Sequence, residues 1–328
     1  MAPKSLDLVA DDYHFGSQFT KPVPLPKDLS LTESTIIITG ANTGIGYATA
    51  EKLLSLNLKR LIIAVRTVSK GESAAAKLRT QCSKAEILVW QVDMLSHKSV
   101  QDFADRCKTL DRIDLAILNA GSQWTRFELS PEGHESSFQV NYLSTVLLAT
   151  LLLPTLKQKA PAGQPGRLTI VNSGTSLMAE FPNINDDNVL ACYDDETKFS
   201  GGLIPCPHTP STKDSRTFGA DDVVVNLVDP GLVRNTGLQQ QGNFVVRQVL
   251  AVVKWLIARN LEQGASTLVQ AGVVMGKESH GSYIMDWRIH HYTQLLHTKE
   301  GQGFADKVWH DTYRELSFIN VDGILKSL

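Results

Sequence analysis

The five residues Thr35-Ile36-Ile37-Ile38-Thr39 run directly into Gly40-Ala41-Asn42-Thr43-Gly44-Ile45-Gly46. A short unbroken β-branched run marks a strand buried on both faces, and such strands belong to parallel sheets covered by helices on either side. Glycines at 40, 44 and 46 let the backbone turn tightly, approach a pyrophosphate and pack the next helix on the sheet. The N-terminus of that helix then presents free N–H groups to phosphate. Alone, a glycine-rich turn is a weak signal; between a buried strand and a helix it points strongly to a dinucleotide site.

The alternation continues along the chain. Leu61 to Val65 is a second buried strand and Lys70 to Cys82 an alanine-rich helix; Ile87 to Val92 is a third strand, ending at Asp93. Ser99 to Leu110 reads as a helix, Leu115 to Leu118 as strand four, residues 135 to 158 as a long helix, Arg167 to Asn172 as strand five and Val223 to Val228 as strand six. This repetition predicts an α/β fold with a Rossmann-like, doubly wound parallel sheet in one domain, residues 34–328, whose C-terminal region forms a substrate lid or tail. Residues 1–33 form an N-terminal extension in which Pro22, Pro24 and Pro26 enforce extended structure.

With 42% apolar and 20% charged residues over 328 positions, the chain has ample material for a core, and its net charge of −2 gives no reason to expect nucleic acid or an anionic membrane as partner. Cys82, Cys107, Cys192 and Cys206 lack metal-ligand spacing and read as reduced cytosolic thiols. The acids of MAPKSLDLVADDYHFG argue against a secretory leader. The apolar runs Val146 to Leu153 and Val245 to Ala258 are too short or too interrupted to span a bilayer, so the expectation is a cytoplasmic protein with no transmembrane segment. His290 and His291 have no third ligand at metal spacing, so no metal is expected; Trp287 and Trp309 read as core or interface aromatics.

Three strand ends carry further candidates. Arg66 follows strand two, where an adenosine ribose would lie; a guanidinium there suits a 2′-phosphate and favours NADP(H) over NAD(H), with Lys70 in support. Asp93 can accept from an adenine amino group or cap the next helix, although Ser96 is the better cap. Asn119-Ala120-Gly121 closes strand four, where small residues let the chain pass beside a nicotinamide ribose and the asparagine amide can pin the strand ends.

TGANTGIG, LNAG, FQVNYLST, RLTIVNSGTS and DPGLV, in this order and spacing, resemble the short-chain dehydrogenase/reductase family from about Thr35 to the C-terminus. The retinol-dehydrogenase-like branch, with fungal secondary-metabolite reductases, is most similar. The resemblance implies that Gly40, Asn42, Thr43, Gly44, Ile45 and Gly46 hold the dinucleotide, Asp93 the adenine, and Asn119, Ala120 and Gly121 flank the nicotinamide. Pro230, Gly231, Val233 and Thr236 would close over its carboxamide, with Asn235 as an extra residue. It further implies that Asn141 bends its helix and anchors a water relay, and that Ser173, in preference to Ser176, positions the carbonyl.

A tyrosine and a lysine complete that family's catalytic set, at i and i+4 on one helical face, the ammonium lowering the phenol's pKa from about 10. Here the nearest pair, Tyr193 and Lys198, is at i and i+5, about 140° apart around a helix. Aligned from DDETKFSGG the tyrosine falls near Pro205 and the lysine near Thr209; counted back from Pro230 it falls near Ser200. No tyrosine lies between 193 and 283. Pro205, Pro207 and Pro210 each cost a helix interior about 3 kcal/mol, which predicts a disrupted crossover helix before strand six.

Three explanations stand side by side. The chain is a pseudoenzyme that keeps its nucleotide site, or an enzyme with a replacement acid from His208, Lys213 or Tyr193. Or residues 200–220 are the product of a frameshift or mispredicted splice junction, which sequencing the transcript across 195–222 decides. As an enzyme the chain would interconvert a carbonyl and an alcohol on a small or medium lipophilic molecule with NADP(H). As a binding module it would hold NADPH without turnover. A homodimer through the long helix at 135–158 is weakened by loss of the catalytic helix that normally shares the interface.

Overall fold

Side-chain alternation along the central strands determines the layering. In β1 (Thr35–Thr39) Ile37 faces one apolar cluster while Ile36 and Ile38 face another; in β2 (Arg60–Val65) Ile62 and Ala64 oppose Leu61, Ile63 and Val65 in the same way. Both faces therefore need a cover, and helices supply it. The computed structural model describes residues 4–8, 18–178, 181–199, 218–234, 236 and 258–328.

The sheet has eight strands in the order β3-β2-β1-β4-β5-β6-β7-β8, with β3 (Glu86–Gln91), β4 (Leu115–Leu118), β5 (Gly166–Val171) and β6 (Val223–Val228) where the sequence predicts strands. Successive partners are parallel as far as β7 (Tyr283–Met285), and β8 (Arg288–His290) returns antiparallel, forming a hairpin that the sequence reading does not contain. Positive φ at Asp286 and Trp287 makes that two-residue turn. The fold is the predicted single-domain, mostly parallel Rossmann-like sheet, with this one antiparallel addition at its edge.

Helices α1 (Gly44–Ser55), α2 (Val68–Gln81) and α5 (Leu261–Val269) cover one face through Leu53, Leu78 and Leu268. On the other face lie α3 (His97–Cys107), α4 (Ser136–Lys159), α6 (Lys299–Glu315) and α7 (Val321–Lys326). Apolar around its whole circumference, α4 has no exposed residue from Ser136 to Leu156. By length and composition α4 is apolar enough to cross a membrane, contrary to the expectation from its shorter apolar run, yet it is enclosed by the sheet, α3, α6 and α7 of its own chain. The predicted core aromatics Trp287 and Trp309 are both buried.

The extension before β1 is stitched to the body at several points. Leu31 donates its N–H to the Leu56 carbonyl at 2.8 Å, and the buried Ser5 hydroxyl accepts the N–H of Tyr283 at 2.8 Å. The proline-rich block expected to disrupt the crossover helix, with Cys206, His208 and Lys213, lies outside the described residues, as do Asn235 and the amphipathic run from 245 to 257.

Candidate active site

Strand order reverses between β1 and β4, and in open α/β sheets the crevice beyond the carboxyl ends of the strands at that point is where ligands bind. The two strand ends are locked together there. The Thr39 hydroxyl accepts the peptide N–H groups of both Asn119 and Ala120 at 2.9 Å. In return the Asn119 carboxamide donates to the carbonyls of Thr39 at 2.9 Å and Gly40 at 3.4 Å. This is the pinning expected of Asn119; Thr39, buried and central to it, is a residue the sequence reading passed over as strand.

The glycines fit around this lock. Gly40 has φ +69°, and a Cβ there would stand 3.0 Å from the Ala120 Cα. A Cβ at Gly46 would meet the Asn119 Nδ2 at 2.5 Å and the Gly40 carbonyl oxygen at 2.7 Å. Thr43, the residue before α1, makes no side-chain cap, so the first N–H groups of the helix are left for an anion, flanked by the half-buried Asn42 and Ile45. Thr236 comes back to this loop: its Cα lies 3.9 Å from where a Gly44 Cβ would stand.

Arg66 and Lys70 lie exposed at the end of β2 and the start of α2, and among the described residues neither forms an ion pair or hydrogen bond. The Asp93 carboxylate accepts the Leu95 N–H at 3.0 Å, while Ser96 caps α3, as expected. Asp93 is thus fixed in its own turn and half-buried.

Within α4 one turn, Gln139–Leu143, widens to a π turn, and the Thr145 hydroxyl donates to the displaced Val140 carbonyl at 2.9 Å. Asn141 sits in this turn. Its carboxamide clamps the loop after β4, accepting the Ser122 N–H at 2.9 Å and donating to the Ser122 carbonyl at 2.7 Å, and its Oδ1 lies 3.3 Å from a Cβ built on Gly121. The π turn lies where the resemblance places the helix asparagine. At the end of β5, Ser173 is exposed and its hydroxyl accepts from the Thr175 hydroxyl at 3.0 Å and the Thr175 N–H at 3.3 Å. Both bonds use Ser173 as acceptor, so its own proton is left to be donated outward. Ser176 is buried and donates to the Ser173 carbonyl at 2.5 Å, which suits structure better than catalysis.

The turn after β6 is held from behind. Gly231 takes φ +76°, and its N–H donates to the buried Asp229 carboxylate at 2.9 Å. Arg259 donates to the Pro230 carbonyl at 3.2 Å, pairs with Asp286 and lies 4.6 Å from the Trp287 ring. Val233 packs its side chain on Gly264, leaving only its backbone for a ligand. Burial pushes the Asp229 carboxyl up to about 6, against the pull of the Gly231 N–H and Arg259. The sequence placed Asp229 at the head of DPGLV without giving it a role, and nothing in it pointed to Arg259 or Asp286.

Tyr193 and Lys198 do not share a helix. They belong to separate 3-10 turns, Ala191–Asp194 and Glu196–Lys198. The Tyr193 ring stacks on Phe138 with centroids 4.6 Å apart, and Lys198 lies 3.9 Å from Asp195. The adjoining Asp194 accepts from His134 at 2.8 Å and from the Glu135 N–H at 2.7 Å, fastening this segment to the start of α4.

A doubly wound sheet with a glycine turn at its switch point, an uncapped helix behind it and a serine at the end of β5 defines a dinucleotide-binding oxidoreductase fold. The family model for short chain dehydrogenases matches residues 34–184. The short chain dehydrogenase/reductase mfmJ of Annulohypoxylon moriforme is 46% identical over 322 residues, 96% of this chain and 94% of that protein. The short chain dehydrogenase virL of Hypocrea virens is 38% identical over 95% of this chain and 93% of its own. Among solved structures, the NADPH-bound short chain oxidoreductase of Pseudomonas aeruginosa PAO1, described as containing an atypical catalytic center, superposes with a TM-score of 0.56 at 21% identity, covering 78% of this chain and 95% of its own. The chain belongs to the short-chain dehydrogenase/reductase family.

Proposed function

We propose that this protein is an NADP(H)-dependent reductase or dehydrogenase that interconverts a carbonyl and an alcohol on a small or medium lipophilic molecule, in the cytoplasm and within a secondary-metabolite pathway. The observation that carries the reading is the fit at Gly46, where any side chain would collide with the Asn119 lock beside an uncapped helix N-terminus. That cradle suits a pyrophosphate lying on backbone. Arg66, exposed and without a partner among the described residues, supports a 2′-phosphate over a free ribose hydroxyl. The NADPH held by the Pseudomonas aeruginosa oxidoreductase of the same fold agrees with this choice.

In this reading Gly40, Asn42, Thr43, Gly44, Ile45 and Gly46 hold the pyrophosphate, Arg66 the 2′-phosphate and Asp93 the adenine. Asn119, Ala120, Gly121, Pro230, Gly231, Val233 and Thr236 surround the nicotinamide end. The bound nicotinamide supplies or accepts the hydride. Ser173 donates its outward proton to the carbonyl oxygen and stabilises the charge that develops there. Asn141 holds the loop of Ser122 in place. Exposed Met178, at the end of the turn that starts beside Ser173, offers an apolar contact for the substrate. Residues 34–328 act as one domain, and 1–33 as its extension.

A second reading, a nucleotide-binding module without turnover, is favoured by one observation: Tyr193 and Lys198 lie in separate turns, with the Tyr193 ring stacked on Phe138 and Lys198 beside Asp195, so this pair is not set on one helical face. Loss of a general acid costs about 10² to 10⁴ in rate. Titration with NADPH and NADH, followed by turnover across a panel of aldehydes and ketones, separates the two. Tighter NADPH binding with cofactor oxidation supports the enzyme; binding without oxidation supports the module; no binding of either nucleotide overturns both.

A further inference from the structure

Gln18 belongs to the extension before β1, and its placement inverts the ordinary one. It is buried at 6% exposure, while Phe19 beside it stands 67% exposed. The hydrophobic effect alone would turn the ring inward and leave the carboxamide in water. A buried carboxamide is costly unless it is hydrogen-bonded, so a specific partner has to draw it in. The turn after β6 supplies one: the Gln18 Oε1 accepts the Leu232 N–H at 2.9 Å. The same oxygen would stand 3.1 Å from a Cβ built on Gly231, so it rests directly on the turn.

Three further peptide groups of this turn are satisfied from the body of the chain. Gly231 donates its N–H to Asp229 at 2.9 Å, and the Pro230 carbonyl accepts from the Arg259 guanidinium at 3.2 Å. The Leu232 carbonyl accepts the Arg259 peptide N–H at 2.8 Å. Of these four groups, the Leu232 N–H alone depends on the extension. Gly231 takes φ +76°, one of many conformations open to glycine, so the bonds around it select the shape of the turn. The extension adds a contact from behind: the Thr20 hydroxyl donates to Asp286 at 3.4 Å, and Asp286 pairs with Arg259. Past Val233 the chain returns to the glycine cradle, with the Thr236 Cα 3.9 Å from where a Gly44 Cβ would stand.

We propose that Gln18 is a positioning residue for the nicotinamide end of the cofactor: by holding the Leu232 peptide it sets the 230–233 turn in the conformation that receives the carboxamide, so that the extension completes the site. Gln18 acts through that peptide and not on the cofactor itself. Cofactor and docked extension then favour the same conformation of one turn, so each strengthens the binding of the other. The adenosine and pyrophosphate end, built from β1, α1 and β2, gains nothing from Gln18.

The inference rests on the nucleotide-binding reading, and that difference between the two ends of the cofactor tests it. Titration of the full chain with NADP+ and with 2′-phospho-ADP-ribose, which lacks the nicotinamide, compares wild type with Gln18→Leu. The variant is expected to bind NADP+ about tenfold more weakly, the scale of one unsatisfied buried N–H, and 2′-phospho-ADP-ribose as the wild type does. Equal loss for both ligands, as a merely structural role would give, overturns the proposal, and so does no loss for either. Ser5→Ala removes a bond that the extension makes to Tyr283, away from the turn, and is expected to leave both affinities unchanged; a selective loss of NADP+ there overturns the assignment to Gln18. If Gln18→Leu does not fold, hydrogen exchange on the wild type answers: NADP+ is expected to slow exchange at both 18–21 and 230–234, and 2′-phospho-ADP-ribose at neither. Any other pattern overturns the proposal. Failure of the wild type to bind either ligand refutes the nucleotide reading instead, a separate and visible outcome.

Discussion

The Thr39 hydroxyl accepts the N–H of Asn119 at 2.9 Å across 80 residues of sequence, and the N–H of Ala120 at the same distance. Thr39→Val keeps the shape and strands two donors. Each unsatisfied buried donor costs about 1–3 kcal/mol, so urea denaturation should show a loss of about 2–6 kcal/mol. Thr39→Ser should recover most of it. Cofactor affinity should fall with Val and return with Ser, because the same lock shapes the glycine cradle.

Arg66 stands exposed with no partner among the described residues, so its removal should leave the fold unchanged. Arg66→Ala is expected to weaken NADPH binding by about tenfold or more, the scale of a lost charge-assisted pair with phosphate, and to leave NADH binding as it was. Fluorescence titration with both nucleotides reads this directly. Equal loss for the two would remove the assignment of Arg66 to the 2′-phosphate.

His134 is held above the usual imidazole range, chiefly by its hydrogen bond to Asp194, with Glu315 adding to the attraction and burial opposing it. A raised folded-state value means that stabilisation is complete below the unfolded value of 6.5 and is lost as pH rises through the folded one. The stability gap between wild type and His134→Gln should therefore be larger at about pH 6 than at about pH 9. Chemical denaturation at the two pH values measures it. A gap that grows with pH would contradict the assignment.

Asp229 has the same sign. Its folded value near 6 lies above the ordinary 3.8, so between these values the folded state binds the extra proton and stability falls as pH rises. Compared with Asp229→Asn, the wild type should lose about 3 kcal/mol between about pH 4 and pH 7. Denaturation of both proteins across that window checks the slope.

Helix α4 is enclosed by its own chain, with Tyr142 reaching Thr312 of α6 at 2.8 Å and α7 packed over its far end. The face expected to meet a second copy is thus already occupied. Light scattering on the eluting protein should give the 36.0 kDa monomer, and a species of twice that mass would show that another surface pairs.

What could be read beforehand follows from where the relevant forces act. β1 to β6 were legible because each is a short apolar run whose neighbours in the sheet are fixed by topology, and the end of β1 carries its glycines in sequence. Asn119 and Asn141 were legible by motif, and Ser173 by its distance from Arg167. β7 and β8 were not, since three residues apiece give no period, and their turn rests on positive φ at Asp286 and Trp287, which no local rule favours. Gln18, Arg259 and Asp286 were invisible for another reason. Their value lies in partners far away in the chain, and a buried ion pair leaves no trace in spacing. The i, i+5 spacing already set Tyr193 apart from Lys198, and the structure holds the two in separate turns, with the Tyr193 ring stacked on Phe138.

The stitches from the extension bear on how the chain is made. Ser5 waits for Tyr283 across 278 residues, and Gln18 for Leu232 across 214. During synthesis these early residues leave the ribosome long before their partners exist, while β1 to β4 can already assemble behind them. Contacts so distant in sequence form late, because closing the loop costs entropy before the contact repays it. The turn beside Ser173 is consequently finished last, by the part of the chain that emerged first.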